Sequence, residues 1–373
     1  MTSILVTGGA GFIGTNFVRY WRKRHPHDMI VVLDALTYAG NRASLDGFVA
    51  DPSFVFVQGD ICDAGLVQKL FKAWRFDQVV HLAAESHVDR SIGDPQAFVR
   101  TNVTGTQSLL QAALVAWDGA FEGRRFLHVS TDEVYGSLGP DDPPATEQSR
   151  LNPTSPYAAS KAASDLLVGA YVQTYGLPAL ITRCSNNYGP FQYPEKLVPL
   201  TILNALHGKP LPIYGDGMNI REWLHVGDHC IALGEVLERG RVGAIYHIGS
   251  GMAVPNIDLV GQLCDIIDRR MERDRSLVER FSGCAVARHA RSRGLIAFVA
   301  DRPGHDRRYA IRRDRLETEL GLVPRTALAD GLARTVDWYL ASESWWRPLQ
   351  GCAPDAWMQR HYRTEGPGRK GTA

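Results

Sequence analysis

The chain has 373 residues, of which 45% are hydrophobic and 22% charged, and its 41 Lys and Arg nearly balance 40 Asp and Glu to give a formal charge of +1. That length can bury a large core and predicts two closely joined lobes. The charge balance gives no reason to expect a nucleic-acid partner. The six cysteines (Cys62, Cys184, Cys230, Cys264, Cys284 and Cys352) are scattered and contain no CxxC pair, so neither a metal knuckle nor a disulfide scaffold is expected. A strand-like run starts at residue 3, leaving no room for a signal peptide, and no apolar run reaches a membrane-spanning length. A reduced, cytoplasmic protein with no membrane partner is expected.

Residues 4–7 form a short apolar run entering glycines, and 12–24 carry apolar residues at helical spacing. Further strands are predicted at 30–33, 54–57, 79–82, 126–129 and 179–182, with helices at 64–74, 95–117 and 155–175. Short apolar runs alternating with longer helical patterns predict a Rossmann-type parallel sheet covered by helices. Beyond about residue 186 the rhythm breaks, with turns at 188–190, 208–210 and 215–217 and helical patterns at 228–237 and 256–271. The expected organisation is a nucleotide-binding and catalytic domain over 1–186. A smaller mixed α/β substrate lobe follows over 187–345, returning some segments to the first domain and closing over the carboxyl ends of the strands. The remainder, 346–373, reads as a C-terminal extension, glycine-rich, charged and frayed from Gly366.

Gly8, Gly11 and Gly14 sit between the first strand and the first helix. There they permit a tight turn, close approach of a pyrophosphate and close helix–sheet packing, with the phosphate against free helix-terminal amides. Asp34 ends the next strand about 20 residues later, where a carboxylate can bind both ribose hydroxyls and repel a 2′-phosphate. The cofactor is therefore expected to be NAD. Asp60 follows the third strand and could meet the adenine edge or merely cap a helix.

Tyr157 and Lys161 are four residues apart, hence on one face of the helix predicted there. An ammonium beside a phenol is expected to lower its pKa and make a base for an alcohol being oxidised. At the end of the 126–129 strand stand Ser130, Thr131, Asp132, Glu133, Val134 and Tyr135. Alcohol oxidation needs a hydroxyl and a tyrosine, but not two adjacent carboxylates. An elimination does need a base for a carbon-bound proton and an acid for the departing hydroxyl, roles that two carboxyls in different environments can divide. The pattern points to a dehydratase.

These motifs together resemble the extended short-chain dehydrogenase/reductase family and, within it, the 4,6-dehydratases that act on dTDP-glucose. Matching segments lie at 8–16, 34–41, 81–92, 130–136, 157–161, 183–199, 221–229 and 302–311. Asp132 favours this branch, because related GDP-mannose dehydratases usually carry serine there, and epimerases of the family lack the adjacent acidic pair. The resemblance implies that Tyr157 takes the sugar 4-hydroxyl proton as hydride leaves C4 for NAD, with Thr131 orienting the hydroxyl and Lys161 supporting the phenolate. Glu133 then removes the C5 proton and Asp132 protonates the C6 hydroxyl as water leaves. Hydride returns to C6, giving dTDP-4-keto-6-deoxyglucose and regenerating NAD.

The same resemblance adds Phe12, Ile13, Ile61, Ala83 and Asn187 to the cofactor site. It assigns Ser86, Asn186, Lys196, Leu197, Pro212, Tyr214, Arg221, Asn256, Arg302, His305 and Tyr309 to substrate, with Lys196 and Arg221 against the diphosphate and Tyr214 stacking on the nucleotide. It also implies a homodimer through the helices at 95–117 and 155–175, whose apolar faces could otherwise be buried within one chain. His81 and His87 need be neither catalytic nor metal ligands. Two departures from the family stand out. The stretch 272–296 is arginine-rich and longer than in many relatives, read preferentially as a solvated insertion and otherwise as a rim helix or oligomer contact. Arg313 replaces a residue that is often acidic. Alternatives are a 4-epimerase, a dehydratase of a UDP-, CDP- or GDP-sugar, and a non-catalytic NAD-binding protein.

Overall fold

The computed structural model describes residues 2–351; Cys352, the glycine-rich tail and nearly all of the expected extension lie outside the described residues. Two compact units divide the chain. Within the described residues the first comprises 2–193, 221–253 and 306–331, and the second 194–220, 254–305 and 332–351.

A seven-stranded sheet forms the first unit, in the order Ile245–Ile248, Ala179–Cys184, Arg125–Thr131, Gln78–His81, Ser3–Thr7, Met29–Asp34, Phe54–Gln58. Every pairing within it is parallel. The first six strands in sequence follow the doubly wound order of a dinucleotide-binding fold, in which ligands meet the carboxyl ends of the strands where the order reverses. Alternate residues of each strand enter different cores. Ile4, Val6, Ile30, Val32, Val80 and Leu127 pack on one face against Phe17, Val18 and Trp21 of helix Phe12–Arg24 and Leu233 and Val236 of helix Val226–Arg239. Leu5, Val31, Leu33, Val79 and Phe126 face the opposite way, onto Leu70 and Phe71 of helix Ala64–Trp74, Leu109 and Ala113 of helix Thr106–Trp117, and Val168 of helix Pro156–Tyr175. At about 1.5–3 kcal/mol for each fully buried aliphatic side chain, this two-sided burial is what holds the sheet.

The helix expected over 95–117 is interrupted. Asp94 caps a short helix at Pro95–Phe98, a π-turn occupies Val99–Gly105, and the α-helix resumes at Thr106. The cause lies at Asn102, whose carbonyl accepts the hydroxyls of Thr106 (2.5 Å) and Ser164 (2.6 Å). Its side chain meanwhile bonds Glu85 and Ser160. Gly105 then has to pass Ile61, whose Cδ1 would stand 2.5 Å from any Cβ.

In the second unit, Leu211–Tyr214 pairs in parallel with Ile296–Val299, and helices Leu197–Leu206 and Asn256–Arg273 carry most of the buried apolar side chains among its described residues. The arginine-rich stretch is more than a solvated insertion. It forms a helix at Arg275–Arg280, and Phe281, Cys284 and Ala285 just after it are buried, with Phe281 stacked on Trp346. Its far end is ion-paired to one stripe of helix Asn256–Arg273: Arg293 grips Asp265 with two 2.7 Å bonds, Ser292 bonds Asp268, and Arg291 pairs with Glu272. An aromatic anchor at one end and this acidic stripe at the other hold it down.

No helix among the described residues is long and apolar enough to cross a membrane. The described cysteines are free, and no cluster of three acidic, His or Cys side chains among the described residues could hold a metal ion.

Candidate active site

The first strand runs into the glycine turn at Thr7. Gly8 has φ +70°, and a Cβ there would stand 2.7 Å from the Ala83 amide nitrogen; a Cβ at Gly14 would stand 2.1 Å from the Gly8 carbonyl oxygen. Only glycine lets helix Phe12–Arg24 start this close to the sheet, leaving its first amides facing outward from a turn bare of side chains. Phe12 and Ile13 pack against the core behind it. Asp34, 8% exposed, accepts from the Ala10 amide at 2.9 Å and the Leu36 amide at 2.8 Å; burial raises its pKa and these two bonds oppose the rise. Each carboxylate oxygen keeps a lone pair for a ribose hydroxyl. These residues fit a dinucleotide.

Asp60 is not a helix cap, since Asp63 performs that task for helix Ala64–Trp74. Asp60 bonds the Cys62 amide at 2.8 Å and pairs with Arg100 at 2.7 Å, and those contacts hold it below the usual carboxylate range although burial pushes the other way. Ile61 is buried, and Ala83 lies against the Gly8 turn with its amide on the Thr7 hydroxyl. Asn187 is held by Ser185 and His229.

Thr131 ends the central strand and caps a 3-10 turn over Asp132–Tyr135, its hydroxyl accepting the Glu133 amide at 3.2 Å. The same hydroxyl lies near enough to the Tyr157 phenol to oppose part of the rise in its pKa. Tyr157 occupies the first turn of helix Pro156–Tyr175, where Pro156 presets the entry and Ser155 caps the Ala158 amide. Thr131, Asp132, Glu133 and Tyr157 thus come together at one strand end.

Asp132 is 3% exposed, and its Oδ2 is buried without a hydrogen bond. Burial, then the charges of Glu133 and Glu222, raise its pKa well above the ordinary value, with Arg221 opposing. These surroundings favour its neutral acid form over the carboxylate. Tyr157 departs from expectation. Its pKa is raised, foremost by burial and then by Glu133 and Cys184, instead of being lowered by Lys161. Lys161 does share its helix face, but its Nζ runs to the sheet and donates to the Val129 carbonyl at 2.8 Å. Burial depresses the Lys161 ammonium to about 8, against Asp165 and Cys184.

Of the residues expected to hold substrate, Arg221 and Tyr309 join this group: the guanidinium lies 4.3 Å over the Tyr309 ring, and each bonds Asp306. Glu133 faces Tyr309 closely enough to raise its pKa, after burial. The Asn186 amide oxygen is buried and unpaired, and Ser86 is half-buried on the loop that Asn102 ties down. The second unit assembles a separate set around Tyr214, with His305 edge-on at 5.7 Å and Arg302 at 5.9 Å. Pro212 shares the Tyr214 face of its strand by period-two alternation. Lys196 and Leu197 open helix Leu197–Leu206, and Asn256 opens the helix to Arg273 with its side-chain oxygen buried and unpaired. Sequence reasoning missed Cys184 and Glu222, which border the reactive group only through tertiary contacts, and Asn102, which bonds Ser160 on the Tyr157 helix. Cys184 is pushed up to about 12, by burial first.

The family model described as GDP-mannose 4,6 dehydratase matches residues 5–335. A dTDP-glucose 4,6-dehydratase of Neisseria meningitidis is 49% identical over 351 residues, covering 93% of this chain and 96% of that one. Among solved structures, a dTDP-glucose 4,6-dehydratase from Streptomyces venezuelae with NAD bound is 50% identical at a TM-score of 0.82, covering 93% of this chain and 100% of that one. One from Bacillus anthracis in complex with NAD is 42% identical at 0.79, covering 94% and 100%. The substrate in the family model's description differs from that of these relatives, whose identities span almost the whole chain.

Proposed function

The chain belongs to the dTDP-glucose 4,6-dehydratase family, and on that footing we infer that it converts dTDP-glucose to dTDP-4-keto-6-deoxyglucose and water. It is an NAD-dependent carbon–oxygen lyase. The observation that carries this reading is Asp132, buried with its Oδ2 unpaired, next to Glu133 and within the same cluster as the Tyr157 phenol.

The chemistry NAD supplies when bound is reversible two-electron transfer, away from C4 and later to C6, with a cationic ring that favours a nearby phenolate. The Gly8–Gly14 turn and Asp34 would hold it. Tyr157 accepts the 4-hydroxyl proton as a phenolate, the form the bound cofactor's positive charge would favour over the neutral phenol that burial otherwise maintains. Ketone formation at C4 acidifies the C5 proton, which Glu133 removes. Asp132 delivers its proton to the C6 oxygen as the C–O bond breaks, so water leaves in place of hydroxide. A proton returns to C5 as C6 is reduced, and no electrons are gained or lost overall. Arg221 supplies positive charge and Tyr309 an aromatic face beside the carboxyl pair, while the Tyr214 group is suited to an aromatic base and a diphosphate.

Incubation with dTDP-glucose should yield the 4-keto-6-deoxy product with no net reduction of cofactor. Reduced cofactor accumulating one-for-one with substrate loss, without dehydration, would overturn the assignment. UDP-glucose, CDP-glucose and GDP-mannose run in parallel test the nucleotide preference. We also propose a homodimer formed through helices Thr106–Trp117 and Pro156–Tyr175.

A further inference from the structure

The segment 306–312 lies along the loop that leaves the Asp132–Tyr135 turn. The Leu138 amide donates to the Arg308 carbonyl at 3.0 Å and the Ala145 amide to the Ala310 carbonyl at 2.9 Å, while Ile311 is buried with Val134 and Tyr135. Asp306, 6% exposed, is where this segment meets the Tyr157 helix. Its Oδ2 accepts the Tyr309 hydroxyl at 2.5 Å and the Thr154 hydroxyl at 2.6 Å. Thr154 immediately precedes Ser155, the cap of that helix. The Asp306 backbone carbonyl accepts Arg221 Nη2 at 2.8 Å, and the same guanidinium lies over the Tyr309 ring.

Each of these contacts removes a freedom. A phenol has one proton to donate and Asp306 takes it, so Tyr309 can offer substrate only its ring and an acceptor lone pair. With its oxygen held, the ring cannot swing from beneath the guanidinium, and the guanidinium is held in turn by the Asp306 carbonyl. Hydrogen bonds to a carboxylate are among the stronger ones, and here two converge on a single oxygen. We propose that Asp306 is a positioning residue, the joint through which Thr154, at the entry of the Tyr157 helix, fixes Tyr309 and Arg221 in the reactive cluster. The helix that carries the phenol base and the segment that carries substrate-holding groups are set against each other by this side chain. A misplacement of about 1 Å between such groups can cost about a hundredfold in rate.

The inference rests on the reading of this cluster as a dehydratase site, and one arm of the test does not depend on that reading. In protein labelled with fluorotyrosine, with Tyr309→Phe assigning the resonance, the Tyr309 fluorine signal should move in Asp306→Ala and in Thr154→Val, and return to its parental position in Thr154→Ser. A signal that ignores Asp306→Ala and Thr154→Val overturns the joint, whatever the substrate. In the dehydration assay Asp306→Ala should lower kcat about tenfold to a hundredfold, with KM little changed and NAD content retained. Asp306→Asn, which keeps an acceptor oxygen, should recover part of the loss. Thr154→Val should lower kcat less, Thr154→Ser should restore it, and Thr154→Val should add nothing in the Asp306→Ala background. A lowered Tm with parental kcat in Asp306→Ala would make Asp306 structural only, and losses that multiply in the double variant would make Thr154 independent of it; either result overturns the proposal. Should Asp306→Ala not fold, Thr154→Val combined with Tyr309→Phe decides, since hydroxyls joined through one oxygen give less than multiplied losses. A parent that fails to dehydrate dTDP-glucose while the fluorine signal moves as stated refutes the dehydratase reading and upholds the joint.

Discussion

The Asp34 carboxylate accepts a 2.9 Å hydrogen bond from the Ala10 amide, tying the end of one strand to the glycine turn that follows its neighbour. The residue that would bind ribose therefore also sets the shape of the phosphate turn. Asp34→Asn should keep much of that tie and lose the charge. NAD affinity should fall about tenfold, the equivalent of one charge-assisted bond, and NADP should be rejected less strongly. Calorimetric titration of cofactor-depleted protein gives both constants; an unchanged NAD-to-NADP ratio would refute the role.

Gly14→Ala should be severe, because its Cβ would be driven to 2.1 Å from the Gly8 carbonyl oxygen, a backbone atom that cannot swing aside. Cofactor content and Tm should both drop. Gly47→Ala is the control, with nothing within 4 Å of the added carbon, and should change Tm by no more than a few degrees. Equal behaviour of the two variants would mean that the turn tolerates a side chain.

The carboxyl pair should separate under isotope exchange. With C5-deuterated substrate, Glu133→Gln should be severely impaired in exchange at C5. Asp132→Asn should retain more exchange but lose water slowly. The reverse pattern would swap their roles, and normal dehydration by both would remove the elimination from this pair. Asp132 also predicts a stability effect. Its folded-state pKa is raised, so its contribution is full below the unfolded value of about 3.9 and declines as pH rises toward the folded value. Asp132→Asn carries no such loss, so its Tm relative to the parent should improve between pH 5 and pH 8. A constant difference would mean that Asp132 is not held protonated.

Val115 and Leu166 are 64% and 66% exposed on the two helices proposed to join protomers, whereas the opposite faces of those helices fill the core. Leu166→Glu should leave the fold intact and shift the molar mass by light scattering from dimer to monomer. A parent that stays monomeric and active across dilution would refute the dimer.

The parts of the candidate site that are local in the chain were legible in the sequence. The glycine turn, Asp34, the Thr131–Glu133 run and the Tyr157–Lys161 pair are each contiguous or one helical turn apart. Six of the seven strands announced themselves as apolar runs; Ile245–Ile248 did not, lying in the part of the chain where the strand–helix rhythm had stopped. The π-turn was hidden because Asn102 diverts its own carbonyl to Thr106 and Ser164, and the second of these is 62 residues away. The Tyr157 pKa was misjudged for a related reason. Helical spacing puts Lys161 on the correct face but cannot say that its ammonium will reach the Val129 carbonyl on another element. Cys184 and Glu222 carry no motif of their own.

Each compact unit is stitched from three separate stretches of chain, and this orders events during synthesis. A ribosome releases the Tyr157 helix well before the seventh strand, Ile245–Ile248, and the first unit still awaits 306–331 after most of the second has emerged. The nascent chain must therefore carry a sheet with an open edge at Ala179–Cys184, a strand buried along its whole length in the finished protein. Shielding of that edge by a chaperone would have most effect over this interval, and truncations ending between residues 190 and 240 are the ones that should aggregate.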